Sequence, residues 1–96
     1  MPLVLSQKIG DDFYVGDSRF AVTDIFQDTK FTLIKDGVDK YEITEYEGVE
    51  VMPEVFISSG DFLQSGVIRA VIDAPRSIVI LRGDKYREQQ EADELA

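Results

Sequence analysis

The sequence predicts one small all-β domain that ends in a short helix. Apolar residues recur in short, partly alternating runs, and turns rich in glycine and aspartate separate those runs. Strong helix formers without β-branched residues follow one another only after Gly83. Ninety-six residues, 44% of them apolar and 30% charged, are enough for a single soluble domain over residues 1–96 with a modest core.

The first half of the chain predicts four strands in order. They cover residues 3–8, 13–15, 19–26 and 30–34, with turns at 10–12, 16–18 and 28–29. In the third strand, the alternation puts Phe20 and Val22 on one face and Ala21 and Ile25 on the other. These four strands account for most of the apolar residues before position 35.

The middle of the chain predicts a hairpin and a second turn. Asp36-Gly37 favours a type I′ hairpin turn, whose two central residues need positive φ. Residues 41–44 and 49–57 then flank a turn at Glu47-Gly48. Pro53 cannot donate to a sheet ladder, so we expect its strand to be an edge strand or to carry a bulge.

The last part of the chain predicts two strands and the helix. The strands cover residues 67–72 and 77–81, and residues 73–75 separate them. Asp84 is a good N-cap for a helix over roughly 84–95. Its apolar residues are few, so we expect it to dock by its first turn only.

Composition argues against an enzyme and against a metal or cofactor site. The chain has no cysteine and no histidine, so disulfides, thiolate metal sites and the usual general base are excluded. No apolar run approaches a membrane span, and no signal peptide is visible, so we expect a cytoplasmic protein. The net charge of −9 is concentrated in residues 31–66 (−6), while residues 67–83 carry +2.

Two groups of residues admit a functional and a structural interpretation. Seven aromatic residues are candidates for base stacking, although their place in alternating strands favours positions in the core or on a sheet face: Phe13, Tyr14, Phe20, Phe26, Phe31, Tyr41 and Tyr46. Five glutamates are candidates for a cation site, but exposed edge-strand carboxylates that oppose aggregation are favoured: Glu42, Glu45, Glu47, Glu50 and Glu54.

Both ends of the chain resemble the carbon storage regulator (CsrA/RsmA) family. The matching segments are residues 1–11, 13–17, 71–76 with their Ala74-Pro75-Arg76 sequence, 77–82, and Tyr86 in the helix. Together they cover about half of the chain. The chain departs from the family in an acidic insertion over roughly 35–66, where the turn signals predict an added β-hairpin. Residues 31–34 belong either to an original strand or to the insertion.

The resemblance implies an interlocked homodimer of five-stranded protomers, each with a C-terminal helix. It also implies RNA binding to GGA-containing hairpin loops in messenger leaders, which controls translation. The site residues that it implies are Leu5, Gln7 and Lys8 from the first strand of one subunit, and Ile80 and Arg82 from the last strand of the other. The arginine fork suits guanine or phosphate, and Leu5 and Ile80 would lie beneath bases.

A second interpretation belongs to another class of protein. The family usually has basic residues where this chain has Gln7 and Lys8, so one cation is missing, and the insertion adds negative charge. A protein-interaction module or antagonist that has lost RNA binding would act through the acidic insertion. Arg82 and Lys8 favour RNA binding, whereas the net charge and Gln7 favour the alternative.

Overall fold

The computed structural model describes residues 3–27, 29–60 and 66–95, which form nine strands and one helix. The strands are β1 (Leu3–Gln7), β2 (Asp12–Val15), β3 (Ser18–Gln27), β4 (Lys30–Lys35), β5 (Asp39–Ile43), β6 (Val49–Met52), β7 (Val55–Ser59), β8 (Ile68–Asp73) and β9 (Ile80–Arg82). The helix α1 covers Gly83–Leu95. The predicted all-β class with a short C-terminal helix is therefore confirmed.

Two antiparallel sheets enclose the core. One has the strand order β1-β8-β7-β6 and the other has the order β5-β4-β3-β2-β9. Buried side chains from both sheets form one apolar cluster, which includes Phe13, Phe20 and Phe31 at 0% exposure. Among the described strands, β1 and β9 end the two sheets on one side, and β6 and β5 end them on the other.

The predicted hairpin turn at Asp36-Gly37 is confirmed. Both residues have positive φ, 52° and 75°, and the Val38 N–H donates to the Lys35 carbonyl at 3.0 Å. Asp36 also ties the turn to the start of β3, because its Oδ1 accepts the backbone N–H of Arg19 at 2.9 Å. Positive φ at both central residues gives the turn a backbone twist that matches the twist of the strands that it joins, β4 and β5, which pair from Lys35 and Asp39 onward.

The predicted turn at Glu47-Gly48 does not form a hairpin. The strands on either side of it, β5 and β6, lie in different sheets. The second hairpin instead joins β6 to β7 through Pro53 and Glu54, and Glu54 has φ of 66°. Proline fixes its own φ and donates no hydrogen bond, so it fits the turn better than the strand interior. The expectation for Pro53 is partly met, since β6 is an edge strand with a register shift between Glu50 and Met52.

The segment expected as an insertion, residues 35–66, contributes more than one hairpin. Residues 35–66 include β5, β6 and β7, so they add strands to both sheets. The first of these strands extends the five-stranded sheet beyond β4, and the other two extend the four-stranded sheet beyond β8. Residues 35–66 therefore contribute more strands than the single added hairpin that the sequence predicts. Residues 61–65 of the expected insertion lie outside the described part of the chain.

The aromatic residues divide between core and surface. Phe13, Phe20 and Phe31 are core residues, as the alternation predicts. Phe26 and Tyr46 are exposed, at 58% and 88%. Within the described residues, no helix is both long and apolar enough to cross a membrane.

Candidate functional site

The first and last strands of the chain meet at one edge of the molecule, which we call the seam. Among the described residues, each of these strands is paired on one side only, β1 with β8 and β9 with β2. Across the seam, Arg82 Nη1 donates to the backbone carbonyl of Ser6 at 3.3 Å. The Gln7 amide donates to the same carbonyl oxygen at 3.1 Å. The seam therefore brings together backbone groups of an unpaired strand edge and the side chain of Arg82.

The structure places the five predicted site residues in different surroundings. Gln7 and Arg82 lie together at one end of the seam, and Ile80 lines its other end. Lys8 is exposed just after β1, where its backbone N–H donates to Asp11 Oδ2 at 3.0 Å. Leu5 is a core residue with 7% exposure, so the sequence-based expectation that it lies beneath bases does not fit its position.

Gln7 and Arg82 line a polar cleft of about 320 Å³. Its lining residues come from β1, the turn before β2, β2 itself, β9 and α1: Gln7, Gly10, Asp11, Asp12, Arg82, Asp84 and Arg87. Three carboxylates against two guanidinium groups make the lining slightly acidic in sum. Gln7 is 2% exposed, and its Oε1 has no hydrogen-bond partner among the described residues.

Asp12 connects the cleft to two strands and the helix. Its Oδ2 accepts Arg19 Nε at 2.7 Å and Arg87 Nη1 at 2.9 Å. Burial alone would raise the pKa of Asp12, but hydrogen bonds from Arg87 and Arg19, together with their charges, hold it below its ordinary value. In return, the hydrogen bond to Asp12 raises the pKa of Arg87. The Asp12 carboxylate is therefore ionised at neutral pH and forms ion pairs with two arginines.

The helix docks by its first turn on β2, as the sequence predicts. The ring of Tyr86 stacks on that of Tyr14, and its hydroxyl donates to Asp17 Oδ1 at 3.5 Å. Burial and the nearby charge of Asp17 raise the pKa of Tyr86. The helix begins at Gly83, so Asp84 lies within its first turn instead of capping it. An acidic side chain in that turn still interacts favourably with the helix dipole.

At its other end the seam carries an apolar groove of about 190 Å³. Its lining residues come from β1, β8, β9 and the loop between the last two strands: Leu3, Ile72, Ala74, Pro75, Arg76, Ile78 and Ile80. Leu3 is 41% exposed there. The groove contains the Ala-Pro-Arg sequence, so one of the segments that carry the family resemblance lies at this end of the seam.

Two exposed glutamates of the acidic segment 35–66 lie on the strands farthest from the seam. Glu42 is exposed on β5 and Glu50 on β6, the strands that end the two sheets on the opposite side. At about 4.8 Å between strands, β6 lies about 14 Å from β1, and β5 lies about 19 Å from β9. Glu42 and Glu50 thus lie on edge strands, as the sequence predicts, whereas Glu45, Glu47 and Glu54 are exposed in loops and turns.

Several residues of the site are not predictable from the sequence. Asp12, Tyr14 and Arg87 join it through contacts between distant parts of the chain, and the Asp12–Arg87 pair is 75 positions apart. Among the described residues, no group of three or more acidic side chains is placed to hold a metal ion. Neither a family model, a curated protein nor a solved structure matches this chain.

Proposed function

We propose that this chain is a non-enzymatic, cytoplasmic RNA-binding regulator, which holds a GGA-containing hairpin loop of a messenger leader in the seam and so controls translation. The observation that carries this proposal is the hydrogen bond between Arg82 and the Ser6 carbonyl. It joins the two strands to which the family resemblance assigns the RNA site.

The chemistry of the seam suits a single-stranded loop. Proteins recognise such loops through exposed base edges, with backbone groups and planar side chains as partners. The unpaired edge of β1 offers backbone groups, Arg82 offers a planar set of five donors, and Leu3 and Ile80 offer apolar surface at the groove. Polar recognition and apolar support thus lie side by side along one strand edge.

The distribution of charge is compatible with an anionic ligand. Salt screens exposed charges beyond about 8 Å at physiological ionic strength, which is less than the distance from the seam to the acidic edge strands. Lys8, Arg76 and Arg82 are exposed on or near the seam. These exposed cations are available to phosphate groups, although the polar cleft itself is slightly acidic and the net charge is −9.

The family resemblance implies sites shared by two subunits of a homodimer, whereas this seam uses two strands of one chain. A homodimer of this protein would carry one such seam in each chain. The two arrangements share the same residues, so the test of the RNA site is the same for both.

The test is binding of a short hairpin RNA with GGA in its loop, beside a CCA control, at several salt concentrations. We expect sequence-dependent binding that Arg82→Ala abolishes. The matched control is Lys40→Ala, which removes one exposed cation on β5, far from the seam. If Arg82 contacts a phosphate, its loss also lowers the salt slope by about 0.7. Equal binding of GGA and CCA loops, or equal effects of the two variants, would contradict the proposal.

One observation favours a second function, that of a protein-interaction module. Tyr46 is 88% exposed between Glu45 and Glu47, both exposed, in the loop that joins the two sheets. An exposed aromatic residue among carboxylates suits a basic protein partner. Such a partner would bind Arg82→Ala and the unaltered chain equally and would lose affinity for Tyr46→Ala.

A further inference from the structure

We propose that the polar cleft is a guanine-specific subsite, in which the side-chain carbonyl of Gln7 accepts hydrogen bonds from the base. This inference rests on the proposed RNA-binding function and goes beyond it, because it names the base and the residue that selects it. The family resemblance predicts a cation at this position, and Gln7 departs from that pattern. Gln7 therefore contributes a hydrogen-bond acceptor to the site, in addition to removing the positive charge expected at this position.

The side-chain oxygen of Gln7 is an acceptor that a ligand can use. Its amide nitrogen donates to the Ser6 carbonyl at 3.1 Å, which fixes the amide orientation, since a flipped amide would set two oxygens against each other. Its Oε1 is buried and has no partner among the described residues. An unsatisfied buried acceptor costs about 1–3 kcal/mol in general, so a ligand that supplies an N–H here recovers that penalty.

The guanidinium group of Arg82 supplies several hydrogen-bond donors next to Gln7. Arg82 and Gln7 donate to the same carbonyl oxygen, so the guanidinium lies beside the Gln7 amide. The guanidinium is exposed and its contact of 3.3 Å is long, so it exchanges readily for a ligand. Both side chains line the same cleft. The subsite then presents an acceptor and a bidentate donor at once.

The residues that line the polar cleft carry more negative than positive charge. Asp11, Asp12 and Asp84 outnumber Arg82 and Arg87, so the cleft does not favour a phosphate group. A neutral base with several N–H groups fits better. Guanine has two adjacent donor groups, N1–H and the N2 amino group, and its O6 and N7 accept the arginine fork. Its requirements match Gln7 and Arg82 together, and a cleft of about 320 Å³ has room for one base.

The experiment replaces each guanine of the GGA loop in turn by inosine, which lacks only the N2 amino group. For the unaltered protein, we expect one position at which the replacement weakens binding by about 5- to 100-fold. For Gln7→Met, which has similar length and no acceptor of this kind, we expect the guanine and inosine loops to bind within about twofold at that position.

The matched control is Thr32→Val. Thr32 is fully buried on β4, and its hydroxyl oxygen also has no partner among the described residues, but it does not line the cleft. This variant should keep the full preference for guanine over inosine. This result would show that removing a buried polar atom outside the cleft does not by itself reduce the preference for guanine.

A second measurement does not depend on the stability of a variant. In the ¹⁵N-labelled unaltered protein, the side-chain amide resonances of Gln7 should shift on saturation with the GGA loop, and less with the inosine loop. An unchanged Gln7 resonance, equal binding of all inosine loops, or a full guanine preference in Gln7→Met would each overturn this inference while leaving RNA binding intact. Failure of the unaltered protein to bind the GGA loop would overturn the proposed function and the subsite together.

Discussion

Tyr14 and Tyr86 stack face to face, with ring centroids 3.7 Å apart and an angle of 7° between the ring planes. This contact holds the first turn of α1 against β2, next to the ion pair between Arg87 and Asp12. The helix has few other apolar residues in its described part, so its docking depends on these two contacts. The same docking positions Asp84 and Arg87 in the lining of the polar cleft.

We predict that Tyr86→Ala loosens the helix without unfolding the sheets. Loss of one aromatic stack should raise the opening equilibrium of α1 by about 2- to 10-fold, seen as faster amide hydrogen exchange in the helix. Exchange in β3 and β4 should not change. Tyr46→Ala is the matched control, since Tyr46 is 88% exposed. Exchange that rises equally in α1 and β3 would contradict local docking.

Gly83 is predicted to tolerate no side chain. It is buried at the start of α1, and a Cβ there would collide with the Asp12 carboxylate. Alanine is usually favoured over glycine in a helix by about 1 kcal/mol, but overpacking costs about 1–3 kcal/mol. We therefore expect Gly83→Ala to lower the free energy of unfolding in urea by up to about 2 kcal/mol, which is the overpacking cost less the gain in helix propensity. In an Asp12→Ala background the same change should be neutral or stabilising, and an equal loss in both backgrounds would exclude this collision.

Local signals made much of this fold predictable, whereas the choice of strand partners did not follow from them. The hairpin at Asp36-Gly37 and the composition of α1 depend on neighbouring residues, and both were predicted correctly. The turn at Pro53-Glu54 was missed because residues 49–57 read as one apolar strand. The division into two sheets depends on pairing between distant strands, which no local pattern specifies.

The residues of the candidate site were likewise predictable only where a signal in the sequence marked them. The family resemblance indicated Gln7, Ile80 and Arg82, which line the two clefts of the seam. It also indicated Leu5, which is buried in the core although it shares a face of β1 with Leu3 and Gln7. Asp12 carried no signal of its own, since an aspartate after a glycine turn is usually solvated. Its importance arises from two arginines that approach it from β3 and α1.

The ion network of Asp12 predicts a loss of stability in acid. The pKa of Asp12 in the folded chain lies below its ordinary value of 3.8, so its pairing stabilises the fold above about pH 4 and is lost as the pH falls through the lowered pKa. Asp12→Asn should cost about 1–2 kcal/mol at neutral pH, a modest value because both arginines are about half exposed to solvent.

Urea unfolding at several pH values checks this prediction. The difference between the unaltered chain and Asp12→Asn should stay constant from neutral pH to about pH 5 and shrink below about pH 4. A difference that persists undiminished to about pH 3, or that grows as the pH falls, would contradict the role of the ionised carboxylate.

The distance between the acidic edge strands and the seam predicts how RNA affinity depends on each carboxylate. Glu42→Gln with Glu50→Gln removes two charges on β5 and β6, whereas Asp84→Asn removes one charge in the polar cleft. At physiological salt, where screening acts beyond about 8 Å, the double variant should change the Kd for the GGA loop by less than about twofold. Asp84→Asn should lower that Kd more, because its carboxylate lies in the cleft itself.

At about 0.01 M salt, where the screening length is about 30 Å, both variants should bind more tightly than the unaltered chain. An effect of the double variant that equals that of Asp84→Asn at physiological salt would mean that the acidic edge strands lie against the bound RNA.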